Sequence, residues 1–502
     1  MKNIKLSLVL GISVLALASS CKKMDLYPYS SIERSQSFLT VKDAGYWDTG
    51  IHSYIKGRSG GLYQHSQDIQ ADQLNASVDY GNRNGSPHRM NDSFNSDDYT
   101  IRDVWNGYYT GITNANVAID GYQKIEGANA AQTDSLAKYL GGAQIARAHY
   151  YTQLMLRYAK AYTPGSASTD LGVPLVLEFD PNLKPPRATS KAVYDQVLAD
   201  LTAAKTNLAK VPGKQGASRF TIDVAVALEA RARLYTQDWA GAYAAAKSLI
   251  DGGKYPLYTT ADGIKSMWHS DTRQEDIMQL HGTVANNFST VGGNYLGYNA
   301  GANLFAPDFI PTQSIIDLFP AGDYRKPVFF EPKVVQLGGT KYENTLQLVI
   351  KFQGNPALFS GATTNYAHYI KFARIGEQYL IAAEAAYMNG GDEVNARKYL
   401  NDLRVARGLP ATNATGAALL AEIKAERTRE LAFEGFRLFD IKRWGEGIKR
   451  GNPQNVNPLM NAPASDYTQL DKPASFGKIV WGIPTNDMII NPSLAGQQNP
   501  GW

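Results

Sequence analysis

Glu430 and Glu434 stand four residues apart, so on a helix they share a face. A pair of carboxylates is what glycosidases use. Arg427 and Arg437 extend the same series with spacings of three, four and three, making a ladder of opposite charges along one stripe. Two acids on the same turn do not readily flank a sugar from opposite faces, so the pattern points to a structural ion network and not to catalysis. Gly57, Ser59 and Gly61 fit G-x-S-x-G, the form of a nucleophile elbow. An elbow needs a buried strand before it and a helix after it, whereas IHSYIKGRSGGLYQHSQD reads as a glycine-rich turn in a polar stretch. No H-E-x-x-H, paired C-x-x-C or G-x-x-x-x-G-K occurs, and the seven histidines are scattered without metal-ligand spacing. No cofactor is expected. A structural calcium ion held by loop carboxylates and carbonyls is compatible with the sequence, but no EF-hand spacing indicates one.

The remaining reactive group is Cys21, the one cysteine among 502 residues. It follows Lys2, Lys5, an apolar run from Leu6 to Ala18, and the small residues Ser19 and Ser20. That order is an export signal. The run is too short to span a hydrocarbon core of about 30 Å, which takes roughly 20 helical residues. The cysteine has no disulfide partner, and its place resembles a bacterial lipobox, in which the thiol is acylated and becomes the first mature residue. Residues 1–20 are therefore expected to be a lipoprotein signal peptide and 21–37 a lipidated tether, with the folded body as a single domain over 38–502.

Hydrophobic residues make up 44% of the chain and charged ones 19%, which is globular composition. The net charge of +4 is spread out, and no Lys/Arg run is interleaved with aromatics, so nucleic acid is not an expected partner. Helical periods dominate the body. From 134 to 162, Leu136, Leu140, Ala143, Ala146, Tyr150 and Leu154 fall at helical spacing and predict one long amphipathic helix. Pro181, Pro185 and Pro186 break the pattern, and Ser190 is placed to cap the next helix, which carries Val193, Val197, Leu201, Ala204 and Leu208. The segments starting at Leu228 and Leu380 read alike: Tyr235 and Tyr387 end a first helix, and Ala242 and Ala396 take up a second. Small residues at recurring positions let hairpins pack closely, the logic of tetratricopeptide repeats. Two stretches, about 57–95 and 252–369, change to Gly, Asn, Tyr, Phe and Pro with little helical period. Long irregular insertions of this kind are usually functional surfaces.

The segment ERTRELAFEGFRLFDIKRWGEG, from Glu426 to Gly447, closely resembles the C-terminal signature of SusD/RagB proteins. YIKFARIGEQYLIAAEAAY from Tyr369, LNDLRVARGL from Leu400, IARAHYYTQLMLRY from Ile145 and the ending NPSLAGQQNPGW agree with it, in family order and over nearly the whole mature chain. The resemblance implies an α-dominated SusD-like fold of about four tetratricopeptide-like helix pairs with a loop-rich second half. It also implies an outer-membrane lipoprotein facing the cell exterior. Such a protein binds oligosaccharides, or in some cases peptides, closes over a SusC-like TonB-dependent transporter, and is not an enzyme.

A sugar site needs exposed aromatics to stack on ring faces and amides or Arg to bond hydroxyls. Two loops supply both: one with Tyr80, Asn82, Arg83 and Arg89, the other with Asn286, Phe288, Tyr295 and Tyr298. These eight are the candidate ligand residues. Trp105, Trp239 and Trp444 sit inside helical or family-core patterns and read as packing residues. Acyl chains contribute roughly 0.8 kcal/mol per buried methylene. Fractionation of cells carrying Cys21→Ala should therefore move the protein from the membrane pellet to the soluble fraction, and retention in the pellet would contradict the anchoring.

Overall fold

The computed structural model describes residues 37–79, 83–285, 291–451, 453–455, 457–459 and 471–502. Cys21 with its signal and the tether up to residue 36, and Tyr80, Asn82, Asn286 and Phe288, lie outside the described residues.

Helices dominate. The first four long ones are α1 (Val41–Gly57), α2 (Leu62–Gln70), α3 (Tyr99–Gln123) and α4 (Ala130–Tyr158). Helix α4 is the long amphipathic element predicted over 134–162, shifted towards the N-terminus. Asn129 starts it early through a capping box: its Oδ1 accepts from the Gln132 N–H at 3.0 Å, and Gln132 Oε1 accepts from the Asn129 N–H at 2.9 Å. It stops at Tyr158, whose carbonyl accepts from Arg187 at 3.1 Å and Asn499 at 2.8 Å. Helix α5 (Ser190–Asn207) is capped by Thr189, whose hydroxyl accepts from the Ala192 N–H at 3.2 Å. Ser190, the expected cap, is instead the buried first residue of the helix.

The two similar hairpins are α6 (Ile222–Tyr235) with α7 (Trp239–Asp251), and α8 (Ile375–Met388) with α9 (Glu393–Ala406). An aspartate caps each second helix: Asp238 accepts from the Gly241 N–H at 3.0 Å and Asp392 from the Asn395 N–H at 3.1 Å. The hairpins are remote in sequence, yet Ala230, Ala242 and Ala246 share one buried cluster with Ala382, Ala385 and Ala386. Small side chains at the contact bring the helix backbones together, as the repeat comparison predicts.

The two stretches with little helical period are more ordered than they read. The first holds α2, a five-residue helix Gly85–Arg89, and a strand Leu74–Ala76 that pairs antiparallel with Phe309–Pro311. In the second, Phe330–Leu337 and Thr340–Val349 form a hairpin that turns through Gly338 and Gly339, both at positive φ. A second core lies beneath, built from Trp268, Tyr295, Phe309, Phe329, Phe352 and Phe433. Tyr295, expected to face ligand, is 0% exposed and packs 5.9 Å from the Phe433 ring and 6.3 Å from Phe352. It lies on the short helix Val291–Leu296, whose Val291 and Tyr295, one turn apart, both point into this core. Tyr295 is thus a packing residue and not part of a ligand surface.

The G-x-S-x-G match is no elbow, as its glycine-rich setting indicated: a helix and not a strand precedes it. Gly57 ends a helix, and the Ser59 hydroxyl donates to the Ile55 carbonyl at 2.7 Å.

Residues 426–447 do not form one helix. Helix α10 (Gly416–Glu430) stops, the chain turns through Phe433 and Gly435 at positive φ, and α11 (Arg437–Arg443) follows. The expected ladder is therefore replaced by long-range pairs: Arg427 bonds Asp440 at 2.8 Å and Arg437 bonds Asp72 at 2.7 Å. The ion network itself is present and buried. Glu430 Oε1 accepts from Arg374 and Arg407, each at 2.8 Å, and its Oε2 from Arg325 and Arg407, each at 2.9 Å. Arg407 also holds Glu275 with two bonds of 2.8 Å, and Arg374 reaches Glu434 at 2.6 Å. Gly376 is required here, because a Cβ would lie 2.6 Å from Glu430 Oε1.

Burial on its own pushes the Glu430 carboxyl up. Arg407, then Arg374 and Arg325, overcome it, so the group sits well below its ordinary value. A carboxyl lowered in the native state stabilises above its unfolded value, and that contribution is lost as the pH falls through the native one. Urea denaturation at neutral pH should show Glu430→Gln losing about 3–5 kcal/mol, because it leaves buried guanidinium groups undercompensated. A loss under about 1 kcal/mol would show that the network is not structural.

Candidate functional site: the loop face around Arg83 and Asp308

The antiparallel pair of Leu74–Ala76 and Phe309–Pro311 fixes where the two candidate loops meet. Beyond it, the Ser77 hydroxyl donates to the Pro307 carbonyl at 2.7 Å and the Ser77 N–H to the Asp308 carbonyl at 2.9 Å. The Val78 N–H donates to Pro458 at 2.8 Å, and the Gly338 N–H to Asp79 Oδ2 at 2.9 Å, so the segment near 458 and the β-hairpin tip join the same rim. Buried Arg450 ties the base down, donating to the Leu74 carbonyl at 3.1 Å and to His88 at 2.8 Å. His88 Nε2 accepts from the Ala76 N–H at 3.2 Å, which requires a neutral ring. Burial, with Arg450 adding to it, holds His88 well below its ordinary value and keeps it neutral.

Arg83 and Asp308 lock the loops together. Arg83 Nε donates to Asp308 Oδ2 at 2.8 Å and its NH2 to Oδ1, a bidentate fork. The Arg83 side chain is 61% exposed while that of Asp308 is 5% exposed, so the acid anchors and the guanidinium plane faces solvent. Burial pushes the Asp308 carboxyl up, against the pull of Arg83. Next to it, Asn84 in the left-handed region gives its N–H to Tyr99 Oη at 2.9 Å and receives the Tyr99 hydroxyl on Oδ1 at 2.8 Å. Tyr99 is 41% exposed.

On the other loop, half-buried Tyr298 packs 4.9 Å from Phe305, and its hydroxyl donates to Asn303 Oδ1 at 3.0 Å. Its N–H donates to Tyr366 Oη at 2.8 Å. Asn299 is exposed, and its Oδ1 accepts the N–H groups of Gly301 and Ala302. Asn294 donates its amide to His65 Nε2 at 3.3 Å, and its carbonyl accepts from the Asp308 N–H at 2.9 Å. His65 is pushed down to about 4 by burial and stays a neutral acceptor. The face therefore offers planar groups, namely the Arg83 guanidinium and the Tyr99 and Tyr298 rings, flanked by the amides of Asn84, Asn299 and Asn303. That is chemistry for hydroxyl-rich, neutral ligands with flat apolar patches.

Of the eight predicted ligand residues, Arg83, Arg89 and Tyr298 are described and stand in these loops, Arg89 half-buried at the end of its five-residue helix. Tyr295 is in the core, and the other four lie outside the described residues. Sequence reasoning missed Asn84, Tyr99, Asn303 and Asp308. The Asn84-Gly85 step was a readable turn signal. Asp308 had none, because its partner is 225 positions away. Among the described residues, no cluster of three or more His, Cys, Asp or Glu side chains is suited to a metal ion, and no helix is long and apolar enough to cross a membrane.

Comparison with known proteins agrees with this architecture. The profile of the SusD family matches residues 339–502, and one described as "Starch-binding associating with outer membrane" matches 51–234. A SusD-like protein of Formosa agariphila is 24% identical, with 98% of each chain covered. A SusD superfamily protein of Bacteroides thetaiotaomicron superimposes with a TM-score of 0.77 at 25% identity, over 92% of this chain and 100% of that one. A SusD-like carbohydrate binding protein of Bacteroides vulgatus gives 0.73 at 21% identity, over 91% and 98%. With profile matches in both halves and a shared fold along nearly the whole chain, the protein belongs to the SusD/RagB family.

Proposed function

We propose that the protein is a glycan-binding lipoprotein of the outer membrane. It captures oligosaccharide on the Arg83–Asp308 loop face and delivers it to a SusC-like TonB-dependent transporter. The observation that carries this reading is the composition of that face: exposed planar groups and amides, held in place by buried anchors. Family membership and a profile described as starch-binding and outer-membrane-associated support it, as does the likeness to a structure described as a carbohydrate binding protein. Cys21 would supply the lipid anchor and residues 21–37 the tether, so that residues 38–502 act as one body at the cell surface.

The role is capture without chemistry. Both acids of the Glu430–Glu434 pair are engaged in the ion network: Glu434 accepts from Lys351 at 2.8 Å and from Arg374, and Glu430 from three arginines. Glu430, held ionised by its arginines, has no proton to give a glycosidic oxygen, and its four bonds leave no lone pair free to attack an anomeric carbon.

Binding of the purified protein to an array of polysaccharides and oligosaccharides tests the reading, with Tyr298→Ala and Arg83→Gln alongside. One glycan class should bind, and each substitution should weaken it by about 1–2 kcal/mol, the scale of a lost stacking or charged hydrogen-bond contact. Silence across the array, with binding to a peptide library instead, would overturn it.

A further inference from the structure

A cavity of about 90 Å³, lined by none of the loop-face residues, lies in the seam where α2 and α4 approach the strand Ile370–Arg374 and the turn before α11. At roughly 30 Å³ per water it holds a few waters or one small solute. Its wall is rich in cations. Two of them are neutralised by acids: Arg231 by Glu377 at 2.8 and 2.6 Å, and Lys371 by Asp271 at 2.8 Å. The acid on the wall, Glu434, is itself consumed by Lys351 and Arg374.

Arg58 and Arg157 are different. Arg157 is 2% exposed and donates to neutral acceptors, the Tyr63 and Gln153 carbonyls and the Gln67 and Gln153 amide oxygens, while its Nε has no partner. Arg58 lies over the Tyr54 and Tyr63 rings at 4.5 and 5.3 Å and bonds the Gly57 carbonyl at 3.4 Å. Neither pairs with a carboxylate among the described residues. Among the described residues, the buried wall also leaves His149 Nε2 and the Tyr235 hydroxyl without partners, at 7% and 3% exposure. Just behind it, Lys442 donates to the Leu156 and Ala159 carbonyls and, among the described residues, to no acid. Burial and then the charge of Arg157 push that amine down to about 7, and burial with Arg231 and Arg157 pushes His149 down to about 3. The cavity thus concentrates positive potential that the described residues do not compensate, beside neutral groups able to hydrogen-bond.

We infer that this cavity binds a small carboxylate, held by the guanidinium of Arg58 and the Nε–H of Arg157, with the His149 imidazole and the Tyr235 hydroxyl as neutral partners. The Nε and NH2 edge of Arg58, bonded to no acid among the described residues, matches the plane and two oxygens of a carboxylate, while the terminal N–H groups of Arg157 are already given to Tyr63, Gln67 and Gln153 and leave its Nε–H as the remaining donor. The site is separate from the loop face and stands whether or not that face binds sugar. A free organic acid and the carboxylate of an acidic sugar present the same group.

Isothermal titration of the purified protein with acetate, glucuronate and glucose tests the inference, using Arg58→Gln and Arg157→Lys. Arg58 is half-exposed, so its variant keeps the test alive if the buried substitution disturbs folding. Acetate should bind saturably and about tenfold more weakly in each folded variant, the loss expected for one charged contact. Competition by glucuronate would assign the group to an acidic sugar, and acetate binding alone to a free organic acid. No saturable binding of either acid, binding unchanged in Arg58→Gln, or competition by glucose would overturn the inference.

Discussion

A carboxylate taken out of water must be fully paired or it costs more than the fold can spare. Glu430 meets that requirement with arginines from three separate parts of the chain: Arg325 near the β-hairpin, Arg374 at the end of a strand, and Arg407 just after the second repeat-like hairpin. None of these can move without stranding a buried charge. The network therefore ties the helical scaffold, the turn at 431–435 and the loop-rich half into one arrangement. Gly376 shows how closely the backbone is drawn in around it.

The rigidity set there reaches the loop face through short steps. The turn after α10 is held by the Gly435 N–H on buried Asp68 at 3.0 Å, which sits on α2. Helix α2 leads into the strand Leu74–Ala76, and that strand sets the register of the segment carrying Asp308. Asp308 in turn holds Arg83 with its plane outward. A recognition surface on loops held by buried anchors loses less conformational freedom on binding than one on free loops, so more of its contact energy appears as affinity. The same chain of supports explains why so many polar side chains in this protein are buried: they act as props for irregular backbone that has no ladder of its own to satisfy it.

Much of the scaffold was legible in the sequence, because helical period and alanine spacing act locally. The long helix and the two similar hairpins emerged that way, while the family entered through the resemblance of particular segments such as 426–447. The errors came where distant partners decide. Tyr295 and Tyr298 look equivalent in a Gly/Asn-rich stretch, yet one turn of helix places Tyr295 under Phe433 while Tyr298 stays at the rim. The charge ladder had the correct residues and the wrong partners, since Phe433 and Gly435 break the helix that would have aligned them. The β-hairpin at 330–349 was readable from Gly338-Gly339 between two strand-like runs, but the surrounding irregular composition hid it. Asp308 could not be found from one sequence at all, since its role exists only once the two loops touch.

The central claim is that the loops joined by Arg83 and Asp308 form the recognition face while the helix pairs support it. Hydrogen exchange of the protein with and without its bound glycan tests this most directly. Added protection should appear in residues 83–99 and 294–308, and the α6–α7 and α8–α9 hairpins should exchange as before. Protection confined to those hairpins, with the loops unchanged, would contradict the account.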